Sequence, residues 1–188
     1  RDICNANGLL LFLDGARLGA ALTSRDNDLD LATIAQLVDA FYIGGTKNGA
    51  LLGEALVICR DELKTDFRYL IKQRGALMAK GFAMGMQFEA LFKDGLWFEL
   101  AAHVNAMAER IAKVLEECGY SFYSAPCTNQ LFPILPNDLL PKLAADFVYS
   151  VIARVDDHHS AIRLVTSWAT SEESVAALCE FFQANRLS

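Results

Sequence analysis

The feature that most constrains the fold is a continuous apolar run from Gly8 to Leu13, which ends at Asp14. A run of this kind is typical of a strand that is buried on both faces in a parallel sheet. We therefore predict that Gly8–Leu13 is a central parallel strand. Asp14 then lies at its carboxyl end, which is where open α/β sheets bind their ligands.

More strands and short helices follow at spacings that favour an α/β layer over residues 1–96. A second strand is predicted at Ala40–Ile43, and a third in the second half of Leu51–Cys59. A short helix is predicted at Ile34–Val38, and another helix is predicted to begin with Asp61 as its N-cap. Strands that are separated by loops and short helices are characteristic of α/β domains.

The rest of the chain predicts a connecting helix and then a second, smaller domain. Apolar residues recur at three- and four-residue steps, which predicts a helix over residues 97–119 with Gly119 at its end. Residues 120–188 predict a small α+β domain. Its predicted strands lie at 120–125, 129–135 and 161–165, and its predicted helices lie at Leu139–Tyr149 and Glu172–Gln183, the last with Ser171 as N-cap.

Composition and charge exclude several classes of protein. The net charge is −6 and no Lys/Arg patch offsets it, so we expect no nucleic-acid partner. No apolar run approaches the roughly 20 residues of a membrane span, so we expect no membrane partner.

The five cysteines are scattered without a CxxC pair, which predicts reduced thiols in a cytoplasmic protein. Adjacent side chains at Asp156–His159 point in different directions, so we predict a solvated loop and no metal site.

The start of the chain leads to a further expectation. The sequence opens at Arg1, without a signal-peptide motif, and passes at once into the pattern of a buried strand. A domain rarely begins in the middle of its core. We therefore expect that residues preceding Arg1 in the native protein are absent from this chain.

Two motifs at strand ends contain the first candidate site residues. Asp14-Gly15-Ala16-Arg17 follows the first strand, where a carboxylate can pair with a buried cation or simply begin a turn. Lys47 lies among glycines after the second strand. A crowded lysine there suits Schiff-base chemistry, whereas an uncrowded one is an ordinary loop lysine. The spacing does not match a phosphate-binding P-loop.

Arg163 is the third candidate, because it interrupts an apolar strand in Ile162–Thr166. A buried arginine needs a partner, and the guanidinium group binds a carboxylate through two parallel hydrogen bonds. An arginine on the solvent face of an edge strand is the alternative. Ser160 and Ser167 have no evident base, so a serine triad is not supported.

Taken together, these motifs resemble the threonine aldolase and β-eliminating lyase family. LDGAR at Leu13–Arg17, GGTK ending at Lys47, and IRLVT around Arg163 occur in the family's order, and the resemblance covers nearly the whole chain. It implies an α/β fold: the C-terminal part of a type I pyridoxal-phosphate (PLP) transferase large domain, with a mostly parallel sheet, followed by a small α+β domain.

The resemblance also implies a cofactor and roles for particular residues. The cofactor is PLP, with Lys47 as its Schiff-base lysine, Asp14 on the pyridine nitrogen and Arg17 close to the ring. Thr46, next to Lys47, is also a cofactor-binding residue. Arg163 corresponds to the arginine that binds the α-carboxylate of an amino-acid substrate.

The implied reaction is retro-aldol cleavage of a β-hydroxy amino acid such as threonine to glycine and an aldehyde. A β-eliminating lyase or an aminotransferase of the same fold, and a non-catalytic fragment, are the alternatives. Family members build each site from two subunits, which implies a homodimer or homotetramer. The stretch Gly75–Phe92 is rich in Met, Phe, Ala and Gly, as expected of a surface that a partner covers.

The sequence departs from the family pattern in several places. Lys72, Arg74 and Lys80 are alternative phosphate contacts near RGALMAKG, where the family carries Met-Arg-Gln, and the choice among them stays open. Ser167 replaces an expected histidine, which predicts a different substrate preference. The family's phosphate-binding turn and ring-stacking residue lie upstream of LDGAR and have no candidate here. We therefore expect this chain alone to hold PLP poorly and to be inactive.

Overall fold

The structure is a computed structural model that describes residues 1–187. Its contacts divide the chain into two compact units. The first contains residues 1–22 and 27–100, and the second contains residues 23–26 and those from 101 onward. The division falls within the helix that the sequence predicts as a connector, and the predicted domain limits at 96 and 119 stay predictions.

The first unit is built on a mixed three-stranded sheet in the order β1 (Phe12–Leu13), β2 (Ala40–Gly44) and β3 (Glu54–Ile58). β1 and β2 are parallel, whereas β2 and β3 are antiparallel. We expected a mostly parallel sheet. Only residues 45–53 connect β2 to β3, and this connection is too short for the crossover that a parallel pair needs.

Helices and turns surround this sheet. Its helices are α1 (Asp2–Ala6), α2 (Leu18–Leu22), α3 (Leu31–Leu37), α4 (Phe67–Gln73) and α5 (Phe82–Phe92), with 3-10 turns at Thr46–Asn48, Asp61–Lys64 and Lys93–Gly95. The predicted helix at 34–38 is confirmed as part of α3. It begins where the Asp30 side chain accepts a hydrogen bond from the Thr33 amide at 2.7 Å.

The helix predicted to begin with Asp61 as N-cap is wrong. The Asp61 carboxylate pairs with the Lys64 ammonium group at 2.6 Å instead of capping backbone amides. The segment forms only a 3-10 turn, and Asp66, with φ of 55°, separates it from α4. The left-handed backbone at Asp66 thus divides the predicted helix into a 3-10 turn and the separate helix α4.

The expectation that Gly8–Leu13 is buried on both faces is also wrong. Phe12 is 56% exposed, and Leu9 and Leu10 are 57% and 55% exposed. Because β1 is an edge strand within residues 1–187, it has a neighbour on one side only. The core of this unit lies instead around β2 and includes Leu18, Ile34, Val38, Phe41, Ile43, Ala50, Leu91 and Trp97.

Asp39 fixes the start of the β1–β2 pair. Its buried carboxylate accepts a hydrogen bond from the Leu11 amide at 2.6 Å, and its own amide donates to the Leu11 carbonyl at 2.9 Å. Arg1 pairs with the same carboxylate at 2.8 Å. The Leu11 hydrogen bond, followed by that from Arg1, holds the pKa of Asp39 below its usual value.

The second unit packs helices against an antiparallel sheet. α6 (Leu96–Glu117) begins in the first unit and continues into the second, where Gly119 with φ of 88° follows its end. The later elements are β4 (Gln130–Leu131), β5 (Ile134–Pro136), α7 (Leu140–Leu143), β6 (Ser150–Arg154), β7 (His159–Val165) and α8 (Glu172–Ala184). β7 pairs with β4, β5 and β6. Ser171 caps α8, as predicted.

Two predicted elements of this unit are largely replaced by others. The helix predicted at Leu139–Tyr149 is confirmed only over α7, because the chain turns at Phe147 and then enters β6, a strand that the sequence did not predict. The strand predicted at 120–125 is reduced to one bridge between Phe122 and Pro133.

Among residues 1–187, no helix is long and apolar enough to span a membrane.

Asn48 anchors the loop between β2 and β3. Its buried side-chain amide donates a hydrogen bond to the Trp97 carbonyl at 2.8 Å. The amides of Asn48 and Ala50 also donate to the Gly45 carbonyl, at 2.9 and 3.0 Å. The loop backbone is therefore tied down from the core side.

We expect Asn48→Ala to lower the free energy of unfolding by about 1–2 kcal/mol, because it removes a buried hydrogen bond. Asn7→Ala is the matched control. Asn7 donates to the Ile3 carbonyl at the same 2.8 Å distance but is exposed, so its loss should cost less than about 0.5 kcal/mol. Urea unfolding of both variants measures the difference, and equal losses would contradict the anchoring role of Asn48.

Candidate active site

The turn that follows β1 packs closely against the end of β2. The Gly44 amide donates to the Gly15 carbonyl at 2.9 Å. A Cβ at Gly15 would lie 1.8 Å from the Tyr42 carbonyl oxygen, and one at Gly44 would lie 2.4 Å from the Ala16 carbonyl oxygen. Only glycine fits at either position, so the two strand ends and the residues that follow them are held together.

Asp14 presents a charged, exposed carboxylate at this junction. Its Oδ1 accepts hydrogen bonds from the Tyr42 hydroxyl and from the Ala16 amide, the latter at 3.1 Å. The Tyr42 hydrogen bond is the main cause that lowers the pKa of Asp14, and the Ala16 amide and the positive charge of Lys47 act in the same direction. Asp14 is therefore an anion at neutral pH.

Tyr42 is a site residue that the sequence analysis missed. The parallel register pairs Leu13 with Phe41, so Asp14 and Tyr42 are next in line on the same face of the sheet. The Asp14 hydrogen bond, with burial and the nearby carboxylates of Asp14 and Glu54, raises the pKa of Tyr42 to about 12. The strand register, which only the structure provides, identifies this residue.

Lys47 lies at the exposed tip of the 3-10 turn Thr46–Asn48, next to exposed Thr46. Within residues 1–187, Lys47 forms no ion pair shorter than 4 Å. Its charge nonetheless acts on Asp14, so the lysine and the carboxylate share one electrostatic environment. The turn is secured by the Glu54 carboxylate, which accepts a hydrogen bond from the Gly45 amide at 2.9 Å.

Arg17 is half-buried and directly precedes α2, on the turn that contains Asp14. The first unit thus places four of the predicted residues, Asp14, Arg17, Thr46 and Lys47, on the two turns that follow β1 and β2. The other candidates in this unit, Lys72, Arg74 and Lys80, are exposed, and no side-chain hydrogen bond or ion pair holds them among the described residues. The choice among these three stays open.

Arg163 belongs to the second unit and lies on β7, between the buried residues Ile162 and Leu164. β7 pairs on both sides, so it is not the edge strand of the alternative interpretation. The Nε atom of Arg163 is buried and has no hydrogen-bond partner among residues 1–187. A buried donor without a partner is costly, and an anionic group would satisfy it.

The histidines do not form a further site. His103 Nε2 lies 2.9 Å from the Thr170 carbonyl oxygen. His159 Nδ1, at the start of β7, lies 3.0 Å from the carboxylate of Asp156 in the exposed turn that precedes the strand. In the part of the chain that the structure describes, no group of three or more His, Cys, Asp and Glu side chains is arranged to hold a metal ion.

Comparison with known proteins places this geometry in a family. The model of the β-eliminating lyase family matches residues 1–137. A low specificity L-threonine aldolase of a Pseudomonas species is 27% identical over 186 residues, which cover 96% of this chain and 52% of that protein. The chain therefore spans about half the length of this curated relative.

Solved structures agree with this match. A threonine aldolase from Leishmania major superposes with a TM-score of 0.94 and 50% sequence identity, covering 98% of this chain and 54% of that one. An alanine–glyoxylate aminotransferase from Nostoc has a TM-score of 0.64 at 15% identity, covering 97% and 55%, which supports the fold alone. The predicted α/β fold class is confirmed, and because the family model covers well over half of its residues, the chain belongs to the β-eliminating lyase family.

Proposed function

We propose that this chain contributes Asp14, Lys47 and Arg163 to a PLP-dependent lyase that cleaves a β-hydroxy amino acid such as threonine to glycine and an aldehyde. The observation that carries the proposal is the joined end of β1 and β2. It brings a charged carboxylate and a lysine without an ion pair among residues 1–187 into one electrostatic environment. Family membership and the similarity to threonine aldolases support the same reaction class.

The residues at this junction fit the cofactor. Both hydrogen bonds to Asp14 fall on Oδ1, so Oδ2 remains available to accept a hydrogen bond from a protonated pyridine nitrogen. Lys47 supplies a primary amine, and its charge acts on Asp14. PLP, when bound, withdraws electrons from the bond that breaks at the substrate α-carbon.

The chain's own groups then have separate tasks. Asp14 keeps a proton on the ring nitrogen, because its lowered pKa leaves it negatively charged. Lys47 Nζ holds the cofactor before the substrate arrives and can then accept or donate a proton. Arg163 can bind the substrate carboxylate through its guanidinium group, whose buried Nε has no partner among residues 1–187.

The assembly and location that we propose are those of a cytoplasmic homodimer or homotetramer. The stretch Gly75–Phe92 supports self-association, because Met78, Phe82 and Met86 are 53%, 68% and 59% exposed. Exposed large apolar side chains of this kind are typical of a surface that a partner covers.

The assignment of Lys47 is tested in the protein expressed from its complete gene. Borohydride treatment of the PLP-loaded protein should attach PLP permanently to Lys47, as peptide mapping would detect. Lys47→Ala should lower turnover of threonine at least about a hundredfold, the scale of a lost acid–base group.

Lys64→Ala is the matched control, because Lys64 is an exposed lysine in the same unit whose ammonium group pairs with Asp61. Its turnover should equal that of the unmodified protein. Permanent attachment of PLP at another lysine would refute the assignment of Lys47. Assays with threonine, allo-threonine and β-substituted amino acids separate aldol cleavage from β-elimination.

The role of Arg163 is tested by the KM for threonine. Arg163→Ala should raise KM at least about 30-fold with little change in PLP content, since losing one partner of a buried charge pair costs about 2 kcal/mol or more. Arg154→Ala, on neighbouring β6, is the control, because Arg154 is exposed and pairs with Asp157. An equal KM in both variants would show that Arg163 does not bind substrate.

A further inference from the structure

Tyr42 is brought next to Asp14 by the pairing of two strands. The register joins Leu13 to Phe41, so Asp14 and Tyr42 form the next pair along the parallel strands. Paired residues of neighbouring strands lie about 4.8 Å apart with side chains on the same face. The Tyr42 hydroxyl donates to Asp14 Oδ1. The backbone pairing therefore fixes the two side chains as neighbours.

The distribution of hydrogen bonds on Asp14 is one-sided. Tyr42 and Ala16 both donate to Oδ1, whereas Oδ2 accepts no hydrogen bond from residues 1–187. Two donors on one oxygen restrict rotation of the carboxylate. They leave the lone pairs of Oδ2 for an N–H donor from outside the chain.

The same hydrogen bond decides which of the two groups holds the proton. The Asp14 carboxylate, with burial and the charge of Glu54, raises the pKa of Tyr42 to about 12. The Tyr42 hydroxyl, with the Ala16 amide and the charge of Lys47, lowers the pKa of Asp14. Tyr42 is thus the neutral donor and Asp14 the anion throughout the physiological pH range.

We infer that Tyr42 is a positioning residue for the cofactor, whose hydroxyl holds Asp14 so that Oδ2 is free to accept the N–H of the pyridine ring. This inference rests on the proposed role of Asp14 in binding PLP. It adds a residue that lies outside the LDGAR and GGTK motifs. Tyr42 acts through Asp14, to which its hydroxyl donates.

The affinity of the apoprotein for PLP tests the inference, measured by equilibrium dialysis on the protein expressed from its complete gene. Tyr42→Phe keeps the ring, whose centroid lies 6.1 Å from that of Phe12, and removes only the hydroxyl. We expect roughly tenfold weaker binding, the scale of one lost hydrogen bond. Tyr123→Phe, which loses a hydroxyl from a 57% exposed tyrosine, should bind PLP as the unmodified protein does.

A double variant separates a positioning role from a general structural one. Asp14→Asn should weaken PLP binding, and adding Tyr42→Phe should weaken it no further, because the hydroxyl then has no carboxylate to hold. Unchanged affinity in Tyr42→Phe, or the same loss in both backgrounds, would overturn the inference while leaving the role of Asp14 intact. Normal PLP binding by Asp14→Asn would overturn the proposed function and this inference together.

A fluorotyrosine at position 42 provides a second variant if Tyr42→Phe does not fold. It preserves the shape of the ring and makes the hydroxyl a stronger donor. PLP binding requires a charged Asp14, so the pH at which PLP is lost on acidification should fall with fluorotyrosine. That pH should rise with Phe, because the pKa of Asp14 rises when its donor is removed. An unchanged pH of release in either variant would overturn the inference.

Discussion

The pairing of β1 with β2 is the interaction on which the rest of the candidate site depends. Asp39 and Leu11 fix one end of the pair through two backbone-directed hydrogen bonds, and Gly15 and Gly44 fix the other through close backbone contact. These contacts at the two ends of the pair determine the register between β1 and β2. It determines that a carboxylate faces a tyrosine and that a lysine follows a short distance along the chain.

The sequence predicted the parts of this arrangement that depend on local pattern. The strands at β2 and β3 and the long helix α6 each follow an apolar pattern, and the polar residues at the strand ends were identified from their positions. The Tyr42–Asp14 contact could not be predicted in this way. It joins residues 28 positions apart and exists only once the register is known.

Two strand predictions failed: the burial expected of Gly8–Leu13 was wrong, and β6 was not predicted. Apolar content predicted burial for Gly8–Leu13, but burial depends on which strands lie on each side, and the described sheet ends at β1. β6 was missed because its residues are almost all exposed and lack an alternating pattern of burial. For β1 the outcome is set by neighbours that are distant in sequence, which a local pattern does not identify. β6 instead pairs with β7, which follows it after four residues, and it was missed for lack of a pattern in its own residues.

The loop that contains Lys47 combines a fixed base with an exposed tip. Asn48 is buried and bonded to the Trp97 carbonyl, and Glu54 holds the Gly45 amide, whereas the lysine between them is exposed. In the proposed Schiff-base role, the amine needs freedom at its end and a stable point of attachment. This arrangement provides both without a flexible backbone.

The reciprocal contact of Gly15 and Gly44 has a consequence for how such a chain can diverge. Each glycine is required by a carbonyl oxygen on the other strand, so a side chain at one position cannot be accommodated by changing the other. The loop between α2 and α3 is not bound by this requirement, because it lies outside both strand ends. Insertions and deletions between the end of α2 and Asp30, the N-cap residue of α3, should therefore be tolerated without moving Asp14 relative to Lys47, because lengthening a surface loop costs little free energy. The two strand ends form a fixed frame, and the loop between α2 and α3 is the part of this segment whose length they constrain least.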